Sequence, residues 1–113
     1  MQSIMQDNLN DCYFLEHPCE PDLKHPWDTY QDLHKHHVFG GANRHLSEKY
    51  GLWVKICCIR CHNGGPMSVH HSPNTGKDLF LKQQAQRAFE AHQYKDFHGS
   101  REKFMEIFGK NYL

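Results

Sequence analysis

The chain has 113 residues, enough for one compact domain and too few for two that each bury a convincing core. Apolar residues make up 38% of it and aromatics 12%, but a mean hydropathy of −0.82 and 11 histidines leave only a modest core, one that a bound metal would help to hold. Neither the short apolar run of a secretory leader nor the roughly 18 apolar residues of a membrane span occurs, so the chain is expected to be cytoplasmic and off the membrane.

The formal charge is zero, with 13 bases against 13 acids, yet it is unevenly spread. Residues 1 to 30 hold six acids and a single base, Lys24, whereas the remainder carries 12 bases and seven acids. A net charge of about +5 beyond residue 30 suits contact with phosphate, and it also fits an ordinary solvated surface.

In chain order, residues 1 to 11 are polar and read as frayed, and Pro18, Pro21 and Pro26 turn 12 to 28 into an irregular lobe. A short strand is expected between Asp32 and Phe39, closed by Gly40-Gly41, with a second over Gly51 to Cys57. The two would form an antiparallel hairpin across a loop of roughly ten residues. Residues 62 to 77, with Gly64, Gly65 and Gly76, read as loop. Leu81, Ala85, Ala88 and Phe89 recur at helical spacing, which predicts a helix from about 78 to 93 with Asp78 at its start. A second helix is predicted after Ser100 as N-cap, burying Phe104, Ile107 and Phe108 and stopping at Gly109. The expected class is α+β in one domain: a two-stranded core and loop over 12 to 77, followed by two helices over 78 to 113.

Two groups of residues carry chemistry. Cys58-x-x-Cys61 has zinc-ligand spacing, because a tight turn presents both sulfurs to one tetrahedral ion. Cys12 and Cys19 are its natural complement for a structural zinc, with His17 able to replace a sulfur. The alternative is a set of plain thiols, as Cys57 is expected to be in a reducing compartment. The second group is His36, His37, His62 and His70. Neutral imidazole binds divalent metal, and its ordinary pKa near 6.5 suits it to deprotonate water. Neighbours on a strand point to opposite faces, so His36 and His37 divide into one ligand and one base.

The order Leu33-His34-Lys35-His36-His37-Val38-Phe39-Gly40-Gly41, then Ser47-Glu48-Lys49-Tyr50-Gly51-Leu52-Trp53-Val54, then Cys58-Ile59-Arg60-Cys61-His62-Asn63, resembles the HNH endonucleases. More narrowly, it is similar to the small HNH-like proteins of bacteriophage and prophage genomes, through Val69-His70, the helix around Leu81 to Phe89 and the ending Phe104 to Leu113. The likeness spans about residues 10 to 113. It implies a ββα-metal (His-Me finger) core and a metal-dependent hydrolase of DNA phosphodiesters. His36, His62 and His70 (or, as a second choice, His71) would hold one divalent ion, Mg, Mn, Ni or Zn, and His37 would activate water. The middle Asn of the pattern is replaced at its usual place by Tyr50-Gly51, and Asn43 is the nearest substitute to orient the base.

Arg44, Lys49, Lys55 and Arg60 are candidates to neutralise duplex phosphates, with Lys82 and Arg87 extending the track. Trp53 and Phe89 read as core. The resemblance also implies a phage- or prophage-encoded protein in a bacterial host, partnered with recombination or packaging machinery. The competing reading is a zinc-stabilised DNA-binding or adaptor module without catalysis. Cysteine nucleophile chemistry is disfavoured, since no Cys has a legible base and orienting partner.

Overall fold

The computed structural model describes residues 1–7, 9, 10, 13, 33–57 and 76–113. The expected lobe at 12 to 28 lies outside them apart from Tyr13, and so does the loop from 62 to 75.

Strand β1 (Leu33–His37) pairs antiparallel with β2 (Trp53–Cys57), in a register that sets His37 against Trp53 and Leu33 against Cys57. The predicted hairpin is therefore present. Residues directly opposite on a sheet share a face, so His34 and His36 lie with Ile56 and Val54, whose side chains are fully buried. Lys35 and His37 lie with Lys55 and Trp53 on the other face.

The connection between the strands differs from the expected loop. A 3-10 turn (Gly41–Asn43) leads into helix α1 (Arg44–Tyr50), which ends where Gly51 adopts φ 72° and returns its N–H to the Ser47 carbonyl. Seven residues give two turns, too few to display a hydrophobic period, and tertiary contacts hold the helix instead. Buried Ser47 accepts the Phe39 N–H at 2.9 Å and donates to the Phe39 carbonyl at 2.9 Å, pairing with the chain just past β1 as a neighbouring strand would.

Residues 1–7 are also not frayed. They run along the free edge of β2: Ile4 N–H donates to the Gly51 carbonyl at 2.9 Å, Ser3 Oγ to the Trp53 carbonyl, and Lys55 N–H to Gln6 Oε1 at 2.7 Å. An uncovered strand edge exposes a row of unpaired backbone groups, and here side chains as well as backbone satisfy them. Trp53 Nε1 completes the attachment by donating to the Met1 carbonyl at 3.0 Å.

Helix α2 (Gly76–Ala91) begins and ends two residues before the expected limits and buries Leu81, Ala85 and Phe89 at successive turns. Helix α3 (Arg101–Phe108) has its predicted caps: Ser100 Oγ accepts from Lys103 N–H at 3.1 Å and Gly109 closes it at φ 79°; Phe104 and Phe108 are buried as expected, while Ile107 is only partly buried. Between the helices, Gly99 passes so close to the Phe89 carbonyl that a Cβ would collide with the backbone there. Phe39, Tyr50, Phe89, Tyr94, Phe104 and Phe108 pack edge-on, tilted or stacked, and unite the helices with the end of β1. The C-terminal segment is tied to α2 through the buried Gln86 amide, whose Nε2 donates to Asn111 Oδ1 at 2.6 Å and whose Oε1 accepts from Tyr112 N–H at 2.7 Å.

The fold is thus α+β, with a two-stranded antiparallel sheet and three helices among the described residues. No described helix is long and apolar enough to cross a membrane.

Candidate active site at the end of the hairpin

The last two residues of β1 take opposite faces, as strand geometry requires. His36 is 6% exposed and lies on the core side with Val54. The His37 side chain, 13% exposed, lies on the other side with its Nε2 2.7 Å from Glu48 Oε2. Glu48 belongs to α1, one residue beyond Ser47, so the clamp between Ser47 and Phe39 brings its carboxylate over the strand.

Lys35, two residues before His37 and therefore on the same face, reaches the same carboxylate, with Nζ 2.9 Å from both oxygens. Its ammonium also stands 4.1 Å above the Trp53 ring, a cation-π distance. The Lys35 hydrogen bond, followed by the His37 hydrogen bond, holds the Glu48 carboxyl well below its ordinary value, at about 2. Glu48 is an anion at neutral pH, and its 46% exposed side chain keeps the carboxylate partly solvated.

Lys55 faces Lys35 across the sheet and has no ion-pair partner among the described residues. Like charges placed opposite each other are unfavourable; with Glu48 balancing Lys35, Lys55 leaves one positive charge in excess among these three described side chains. Arg44 precedes Glu48 by one helical turn and is exposed. Lys49 is exposed too, with Nζ 5.4 Å from the Tyr50 ring. Of the residues read from the sequence as candidates for phosphate contact, Arg44 and Lys49 are carried by α1 and Lys55 by β2. Arg87 is exposed on α2, whereas Lys82 is drawn into an ion pair with Asp78 at 3.0 Å. Trp53 and Phe89 are buried, as read from the sequence.

Asn43 closes the turn before α1, its N–H donating to the Gly40 carbonyl at 3.0 Å. Among the described residues its side chain makes no hydrogen bond, and it is Glu48 that holds the His37 ring. Glu48 and Lys35 stand in the runs quoted from the sequence, but nothing there gives either a role at the site. Only the i, i+2 relation of Lys35 to His37 was visible there, because the strand-to-helix contact that recruits Glu48 is tertiary.

His62, His70, His71, Arg60, Cys58, Cys61, Cys12, Cys19 and His17 all lie outside the described residues. Among the described residues, no group of three or more His, Cys, Asp or Glu side chains converges as a metal site. A hollow of about 300 Å³ beside Tyr50, His92, Tyr94 and Phe97 includes neither His36 nor His37. No family model, curated protein or solved structure matches the chain.

Proposed function

We propose that the chain is a metal-dependent endonuclease of HNH type that hydrolyses DNA phosphodiester bonds. The observation that carries this reading is the division of the adjacent histidines at the end of β1: His36 is buried against the core, and His37 is held on the opposite face by an anionic carboxylate that also pairs with Lys35. Two neighbouring imidazoles with distinct surroundings suit a ligand and a base.

In this reading His37 takes the proton of a water placed against the phosphorus, and the resulting hydroxide attacks in line. Lys55 and Arg44 hold the phosphate backbone without reading base identity. His36 with His62 and His70 would hold the divalent ion. Neutral nitrogen donors of this kind suit Mn, Ni or Zn better than Mg. When bound, the ion supplies Lewis-acid stabilisation of the scissile phosphate and its leaving oxygen. The four cysteines Cys12, Cys19, Cys58 and Cys61 are proposed to hold a separate structural zinc.

Supercoiled plasmid incubated with the purified chain and each of Mg, Mn, Ni and Zn tests the proposal. Nicked or linear product that appears with metal and vanishes with chelator is expected. DNA binding without cleavage under every ion would replace the nuclease by a zinc-stabilised adaptor. Metal analysis of the same preparation should return two ions per chain, and one after His36→Ala.

A further inference from the structure

Glu48 offers His37 only acceptor atoms. An ionised carboxylate has no proton to give, so the 2.7 Å contact between Oε2 and Nε2 requires the hydrogen to sit on the imidazole nitrogen. A neutral imidazole that carries its hydrogen on Nε2 presents a bare lone pair at Nδ1 and nowhere else on the ring. We propose that Glu48 is a positioning residue that fixes His37 as the Nε2–H tautomer, leaving Nδ1 as the atom that accepts the proton of water.

Three further features support the assignment. Lys35 Nζ lies 2.9 Å from both Glu48 oxygens and is itself held over the Trp53 ring, so the carboxylate has a second anchor besides His37. Ser47, one residue earlier, is clamped to both backbone groups of Phe39, which fixes α1 against the chain two residues past His37. Among the described residues, none hydrogen-bonds Nδ1. In the step, an O–H bond of water breaks, an N–H bond forms at Nδ1, and the positive charge gained by the ring lies beside the Glu48 carboxylate.

The tautomer is a property of the folded chain itself, whereas its use in catalysis rests on the nuclease reading. Ring ¹⁵N–¹H spectra of the labelled full chain as purified read the tautomer directly, with His37 assigned by its loss in His37→Gln. The wild type should show hydrogen on Nε2 and a bare Nδ1. Glu48→Gln, whose amide both donates and accepts, should lower that preference about tenfold, the scale of one charge-assisted hydrogen bond at a part-exposed site. Glu48→Asp, one methylene shorter, should move the same way, and Lys35→Met should leave the tautomer in place. Hydrogen on Nδ1 in the wild type, or an unchanged ratio in Glu48→Gln, overturns the assignment whatever the cleavage assay gives. If the wild type cuts DNA, Glu48→Gln should lower kcat with KM retained. A plasmid left intact by the wild type would end the nuclease reading, while the spectra would still decide the tautomer.

Discussion

Ser47→Ala tests how the site is positioned, because the Ser47 hydroxyl holds both backbone groups of Phe39, a residue only 2% exposed. Alanine keeps the volume and the helix but leaves a buried N–H and a buried C=O without their partner. Each orphaned group costs about 1 to 3 kcal/mol, so the pair should cost about 2 to 4 kcal/mol after some relaxation. With an m-value of about 1.5 kcal/mol/M, the urea midpoint should fall by about 1 to 3 M at constant m. The same variant should loosen α1, so the contact between Glu48 and His37 should weaken along with stability. A loss below about 0.5 kcal/mol, the size of an ordinary surface change, would refute the claim that this hydroxyl fixes α1 to the hairpin.

Gln86→Leu removes the acceptor of Tyr112 N–H and the donor to Asn111, and should cost about 1 to 3 kcal/mol while speeding amide exchange at Tyr112. Ser100→Ala removes the N-cap of α3 and should cost about 1 kcal/mol, readable as a fall of roughly 4 °C in Tm. Glu48 titrates lower when folded, at about 2 against 4.5, so its contribution to stability is complete above about pH 4.5 and drains away as pH falls toward 2. Urea midpoints measured down that range should fall less steeply for Glu48→Gln than for the wild type.

The parts of the fold that could be read from the sequence are those with local signals. Ser100 and Gly109 bracket α3 because capping needs a side-chain oxygen at one end and a left-handed residue at the other. The apolar spacing of Leu81, Ala85 and Phe89 marked α2, and the β-formers of Trp53 to Cys57 marked β2. What escaped depends on distant partners. Helix α1 is short and is held by Ser47 on Phe39, and the N-terminal segment owes its order to Ser3, Ile4 and Gln6 meeting the edge of β2. At the site, the alternation of His36 and His37 followed from strand geometry, whereas the carboxylate on His37 came from a helix absent from the pattern.

The measurement that bears most directly on the proposed chemistry is single-turnover plasmid cleavage by the wild type and by His37→Ala, at saturating metal and with DNA binding measured in parallel. Loss of the general base should slow cleavage by about 10² to 10⁴-fold while binding and urea midpoint stay close to the wild type. Equal rates for the two proteins would contradict the role assigned to His37.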